Sequence, residues 1–323
     1  MTDVDRAMLP ARAWNDYVDR HSEGWWWHRS EWLDYCLAYD VSSQDRSFAL
    51  VRDGVVRGIC PAVLSDGRIQ TGDDPCPGPL TDDVSVLINT LQRRLGGIPK
   101  RWRWNSGVES SSVVKALLRC GYVSSGWDTC VVELADRSVC DLWDGIRKSY
   151  RSVIRRGERE YLILSNDEGL WKSYEDCHRS FGSRERPALT YVYQREWVKN
   201  HVGYIVAAFS KGGSNGDGRS VVASPSLGFV DGSRPSPSAG SVCRGASLSF
   251  VYKNHAYYAS GPSLVGDLQH CLQWKTLTDL RSMGVRSYEM GWVNHMPDQK
   301  GIEFFKRGFG GVLRRVDAVS SND

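Results

Sequence analysis

The sequence predicts a mixed α/β fold, α/β or α+β, in two halves of similar size. Three observations predict it. Segments of strand and helix character alternate along the chain, and Asp53-Gly54 divides two apolar runs as a two-residue hairpin turn would. From about residue 141 the same alternation returns, without a residue-level repeat. With 323 residues, 41% of them hydrophobic, the chain can build two domains of ordinary size.

Residues 25–39, WWWHRSEWLDYCLAY, read as a loop entering a short helix, with Ser30 as N-cap and Trp32, Tyr35, Cys36 and Tyr39 on one face. Three consecutive tryptophans cannot all face one core, so one or two are expected to line a cleft or an interface. SFALVRDGVVRGICPAVLSDG gives two apolar strands about the Asp53-Gly54 turn, and PCPGPL is extended because its prolines exclude helix. VSVLINTLQRRLGG is an amphipathic helix ended by Gly96-Gly97; the strand RWRWNS, the helix SSSVVKALLRCG and the strand WDTCVVEL follow. The second half supplies a helix over 141–160, the strand YLILS, the helices EGLWKSYEDCHRSFG and QREWVKNHV, and the strand YIVAAFS. Residues 211–244 are rich in Gly, Ser and Pro and lack periodicity, which predicts a flexible loop between two strands. The strand SLSFVYKNHAYYASG, the helix DLQHCLQWKTLTDLRSMG, the strand VRSYEMGW and the segment GIEFFKRGFGG complete the chain.

The net charge of +3 is too small to announce a nucleic-acid binder. No apolar run approaches the roughly 18 residues of a membrane span, and MTDVDRAMLP has no apolar signal core; the expectation is no membrane insertion and a cytoplasmic protein. Nine cysteines, odd in number and without a C-x-x-C pair, read as reduced and mostly core residues, with no metal site expected. His255, His270 and His295 are isolated and recommend no nucleophile.

Charge is informative in its distribution. GIEFFKRGFGG places three of the chain's 8 Phe around Lys306 and Arg307, and a lysine with such neighbours either snorkels to water or does chemistry in a dry place. Residues 146–160 hold six basic residues, with Arg147, Arg151 and Arg155 on one helical face and Arg156 beside them. Such a row suits successive phosphates, and equally an ordinary solvated face. Arg101 and Arg103 alternate with Trp102 and Trp104, as on an amphipathic edge strand.

HRSEWLDYCLAYD, FALVRDGVVRGICPAVL, LWDGIRKSYRSVIRRGER, AYYASGPS, LQWKTLTDLRSMG and the terminal SYEMGW…KGIEFFKRGFGG together resemble the Fem family of aminoacyltransferases and its relatives in the GNAT superfamily, over nearly the whole chain. The most specific match is a strand ending at Gly291, followed by Gly301, Ile302, Phe305, Lys306, Phe309, Gly310 and Gly311. The resemblance implies two tandem GNAT-like domains packed side by side: one over 1–144, with the tail 312–323 packing back on it, and one over 145–311 carrying the donor site, without a coiled-coil arm. It implies transfer of an amino acid from aminoacyl-tRNA, the co-substrate, to an amine of a small-molecule biosynthetic intermediate or a cell-wall precursor, by a monomer needing no other cofactor. Phe305 and Lys306 would sit at the transferred carbonyl. Glu289, Tyr257 and Tyr258 stand where such folds put polar groups facing the cleft, and Trp26, Trp27 and Trp292 would line the acceptor's path. Arg147, Arg151, Arg155, Arg156 and Arg307 would meet tRNA. Two alternatives stay open: an acyl-CoA-dependent N-acyltransferase, which GPSLVGDLQHC disfavours for want of a basic residue and the glycine spacing of a pyrophosphate loop, and an inactive GNAT-like binding module.

Overall fold

A computed structural model describes residues 1–72, 74–104, 111–165, 169–181, 186–211, 242–293 and 300–321. The first part contains β1 (Thr2–Asp5), α1 (Ala11–Arg20), α2 (Ser30–Tyr39), β2 (Gln44–Asp45), β3 (Phe48–Arg52), β4 (Val55–Cys60), β5 (Val63–Ser65), β6 (Arg68–Ile69), β7 (Cys76–Pro77), β8 (Leu80–Thr81), α3 (Val84–Leu95), β9 (Arg101–Arg103), α4 (Ser112–Arg119) and β10 (Val123–Ser124). The hairpin of β3 and β4 turns at Asp53 and Gly54, whose φ of 52° and 73° supply the positive values a two-residue turn needs. Strands β1-β3-β4-β8 make one sheet, and β2-β5-β6 a small second one.

The second part contains β11 (Trp127–Glu133), α5 (Val139–Gly145), α6 (Lys148–Glu160), β12 (Tyr161–Ser165), α7 (Leu170–Phe181), α8 (Ala188–Lys199), β13 (Gly203–Ser210), β14 (Cys243–Tyr252), β15 (His255–Ser260), α9 (Leu268–Ser282), β16 (Ser287–Val293), α10 (Lys300–Arg307), β17 (Val312–Val316) and β18 (Ala318–Ser320). Its sheet has seven strands in the order β12-β13-β14-β15-β16-β11-β17, antiparallel except where β15 meets β16. The longest described helix, α9, has 15 residues, too short for a coiled-coil arm.

Four expectations need correction. The division at 144/145 does not separate the sheets: β11 lies between β16 and β17 in the seven-stranded sheet. The tail divides too, because β17 stays in that sheet while β18 crosses to pair with β9 and β10 in the order β10-β18-β9-β7. What draws β18 across is burial, since Val319 is fully buried in the same core as Trp102. The helix expected over 141–160 is two helices. Ile146 and Arg147 are extended at ψ 137° and 135°, which lets the Ile146 side chain turn into the core and restarts the helix at Lys148. SLSFVYKNHAYYASG is a hairpin, β14 and β15, turning at Lys253 with φ 53°. The loop expected over 211–244 falls almost wholly on residues 212–241, outside the described residues, with β14 beginning at Cys243.

One large core joins the two parts. Trp26 is 2% exposed and packs on Trp197, Phe250 and Tyr252 of the second part at ring distances of 5.3, 6.2 and 6.2 Å. Each such aromatic pair adds about 1 kcal/mol beyond the area it buries. Lys253 donates to the carbonyls of His21 and Gly24 at 3.1 and 3.2 Å, and Tyr252 donates to Asp19. The two parts are thereby locked beside one another, which fixes the space between them.

Candidate functional site

The parallel pairing of β15 and β16 lasts three residue pairs, His255↔Ser287, Ala256↔Tyr288 and Tyr257↔Glu289. Beyond them the strands part, β15 following β14 and β16 following β11. Each of those pairings is irregular at this level, between Leu248 and Ser249 and between Thr129 and Val131. Such irregularities increase local twist and re-aim side chains, so they hold the split open and leave strand edges facing into it. A cavity of about 510 Å³ fills the split and runs on between the two parts. Tyr257, Tyr258, Glu289, Trp292 and Lys306 line it from the second part, and Trp27, Arg103 and Trp104 from the first.

Helix α10 aims Lys306 at the cavity. Ile302 and Lys306, one turn apart, face it, whereas Phe305 turns away to pack on Tyr150, His270 and Phe309 at 6.2, 5.0 and 5.3 Å. Phe305 therefore anchors the helix, and the expectation that it flanks the reacting carbonyl is corrected: adjacent residues of a helix point about 100° apart. The Lys306 Nζ donates to the Trp292 carbonyl at 2.5 Å. At Gly291, with φ +82°, a Cβ would lie 3.2 Å from Tyr257 Oη and 3.8 Å from Lys306 Nζ. Glycine at the end of β16 thus lets the phenol and the ammonium converge on the split. Burial strips water from the ammonium and lowers its pKa to about 8, with the Glu289 carboxylate acting in the opposite sense. Cys130 is itself pushed up to about 11 by burial and stays a thiol at neutral pH.

Around Lys306 the groups are fixed in their roles. Glu289 Oε1 accepts from Thr129 Oγ1 at 2.8 Å. Burial pushes Tyr257 up to about 12, against the nearby Arg103 guanidinium that hydrogen-bonds it, so Tyr257 is a neutral hydroxyl. Tyr258 is raised still further by burial. His28, 1% exposed, accepts from the Trp25 N–H at Nδ1 (3.0 Å) and donates from Nε2 to the Gly78 carbonyl (3.1 Å). Burial drops its pKa to about 3, so it is a neutral strut.

Of the expected cleft residues, Trp27 lines the cavity and Trp292, 51% exposed, forms its rim. Trp26 does not: it is spent on the core. The arginines of α6 lie outside the cavity and carry partners. Arg147 stacks on Phe304 at 3.3 Å, Arg151 donates to the Ile146 carbonyl at 2.9 Å, and Arg155 lies over Trp143 at 5.2 Å. Arg156 is paired with Asp267 at 2.7 Å and Arg307 with Glu303 at 3.1 Å. The first of these pairs bears on acyl-CoA: at the start of α9, where the rival chemistry needs a pyrophosphate, stand the Asp267 carboxylate and its own arginine.

Sequence reasoning missed Arg103 and Trp104. The arginine–tryptophan alternation was legible, but β9 lies between β18 and β7 and its arginine face looks into the cavity. Trp104 is 2% exposed with Nε1 unpartnered among the described residues, and Arg103 Nε is likewise without an acceptor. Together with Lys306, these donors suit a ligand rich in oxygen acceptors.

The fold has solved counterparts. FemX superposes with a TM-score of 0.65 at 11% identity, covering 98% of this chain and 97% of that one. The C-terminal domain of a putative lysylphosphatidylglycerol synthetase from Agrobacterium fabrum gives 0.56 at 10% identity, covering 97% and 92%. L-PGS from Bacillus licheniformis gives 0.54 at 10%, covering 82% and 81%. In sequence, the chain matches no protein-family model and no curated protein. The protein has a FemX-like fold, α/β throughout.

Proposed function

We propose that this protein is an aminoacyltransferase that takes an amino acid from its ester on tRNA and forms an amide on an amine held in the cavity. The observation that carries the reading is the Lys306 ammonium, half-buried at the mouth of the strand split, with its pKa brought down to about 8 and its Nζ beside Gly291. An aminoacyl ester needs no ATP and no covalent enzyme intermediate; alignment, an oxyanion stabiliser and a proton route suffice. The amine nitrogen attacks the ester carbonyl, whose oxygen becomes an oxyanion facing Lys306. Collapse breaks the carbon–oxygen bond to the ribose, and the departing oxygen takes a proton. Glu289, on the cavity wall and held by Thr129, is the carboxylate placed to receive the proton lost by the amine. Tyr257, neutral at working pH, donates a hydrogen bond to the same region, while Tyr258, the next residue along β15, lines the wall with its hydroxyl toward Gly261.

Arg147, Arg151, Arg155, Arg156 and Arg307 form a basic exterior flanking the ester's approach, where tRNA phosphates compete for guanidiniums that now rest on rings and carboxylates. Such a donor places the enzyme in the cytoplasm, with tRNA as its macromolecular partner. The Asp267–Arg156 pair at the start of α9 weighs against acyl-CoA as the donor, and the ordered convergence on Lys306 weighs against an inactive binding module. Incubating the protein with charged total tRNA and, separately, with acyl-CoAs tests the choice. Consumption of aminoacyl-tRNA in an amine-dependent manner is the expected result; consumption of acyl-CoA alone overturns it.

A further inference from the structure

A second cavity, of about 600 Å³, opens beside the first, and the two share Asp74 and Arg103 in their walls. Its inner wall is the face of α2 that the sequence marked out: Trp32, Tyr35, Cys36 and Tyr39 all line it. Trp32 stacks on Tyr35 at 5.2 Å and meets Trp27, of the first cavity, edge-on at 4.4 Å, so an aromatic path runs from one space to the other. Tyr35 is 8% exposed, and the Arg186 guanidinium lies near it and near Tyr39.

The charges of the two cavities differ in sign. The first carries Lys306, Arg101 and Arg103 against Glu289 and Asp74. Among the described residues lining the second, Asp40, Asp66 and Asp74 face Arg103, and the Arg186 guanidinium lies near its Tyr35 and Tyr39. Asp40 is fixed as an anion: Ser42 and Ser43 hydroxyls donate to it at 2.7 and 2.6 Å and Ser65 at 2.8 Å, which hold its pKa well below the usual carboxylate range. Aromatic faces and standing carboxylates are what a cation prefers, and they repel a pyrophosphate.

We propose that the second cavity holds the far end of the acceptor, and that this end is a cation, a protonated amine or a guanidinium, and not a nucleotide phosphate. The inference rests on the aminoacyl-transfer reading of the first cavity and narrows its acceptor to molecules with a second positive group. The neighbouring charges then sort the substrates: the polyanionic RNA is kept to the side of Lys306, and the acceptor is drawn in from the side of α2, past Asp74 and Trp27.

Binding of spermidine and agmatine to the whole chain, with uridine diphosphate N-acetylglucosamine as the anionic comparison, tests this by calorimetry. Saturable binding of both cations is expected, weakened at least about fivefold in the Asp66→Asn, Asp74→Asn double variant, with no saturable binding of the sugar nucleotide. Asparagine tolerates the positive φ of 51° at residue 66. If the double variant melts early, salt decides on the unaltered chain: affinity for the cations must fall between about 20 and about 500 mM. Salt-independent cation binding, unchanged affinity in a well-folded double variant, or preferential binding of the sugar nucleotide overturns the inference. The two readings fail separately. Cation binding that survives Lys306→Ala, with no transfer from any charged tRNA to wild type, retains the cavity and removes the reaction. Lys306-dependent transfer equally fast to amines with and without a second positive charge retains the reaction and removes the cation site.

Discussion

Helices α6 and α10 are both basic and touch one another through Tyr150, Phe304 and Phe305, yet they use their charges in opposite ways. Along α6, Arg147, Arg151, Arg155 and Arg156 each rest on a ring, a carbonyl or a carboxylate. On α10, Arg307 pairs with Glu303 in the same surface manner, but Lys306, one residue earlier, points its ammonium at a backbone carbonyl in a half-closed cavity, and its pKa falls to about 8. The difference teaches that the count of charges matters less than their hydration. Paired arginines at a surface act weakly and over distance, each worth well under about 1 kcal/mol to a local contact. An ammonium stripped of water acts strongly on charge that develops beside it.

The comparison breaks most visibly at Lys306. Lys306→Ala is expected to slow transfer by about 10²–10³-fold, or roughly 3–4 kcal/mol, with the melting temperature unchanged or raised because a desolvated cation has been removed; a loss below about tenfold in a steady-state assay contradicts the assignment. Gly291→Ala comes next. Its Cβ meets the Tyr257 hydroxyl at 3.2 Å in a backbone conformation side chains disfavour, so turnover should drop about tenfold and stability by about 1–2 kcal/mol in a denaturant titration. A variant with wild-type turnover shows that the phenol and ammonium need not converge. The smallest effect belongs to α6: reversing Arg151 and Arg155 to Glu should raise the KM for aminoacyl-tRNA about three- to tenfold, leave kcat within about twofold, and flatten the salt dependence of kcat/KM. An unaltered salt slope removes α6 from the RNA path.

Periodicity made most of the fold legible. The Asp53-Gly54 turn, the α2 face and the amphipathic α3 were readable because each is set by neighbours in sequence. Lys306 was legible because its apolar surroundings and glycines are local. What escaped depends on contacts between distant segments. Nothing near residue 127 says that β11 will pair with β16 and β17, and nothing near residue 318 says that β18 will lie against β9. Trp26 and Trp27 are indistinguishable in sequence; only the docking of the two parts sends the first into the core and the second to the cavity. Phe305 differs for another reason: its expected place came with the Phe-Lys pair of the resemblance, but α10 turns it away from Lys306 onto Tyr150, His270 and Phe309.

The most direct test of Lys306 as a cationic stabiliser is the pH dependence of single-turnover aminoacyl transfer in wild type and in Lys306→Arg. An ammonium with its pKa near 8 is charged below that value, so the ratio of the wild-type rate to the Lys306→Arg rate, in which ionisation of the attacking amine cancels, should fall as pH rises through about 8, because the guanidinium does not titrate there. A ratio that stays flat or climbs through about 8 contradicts it.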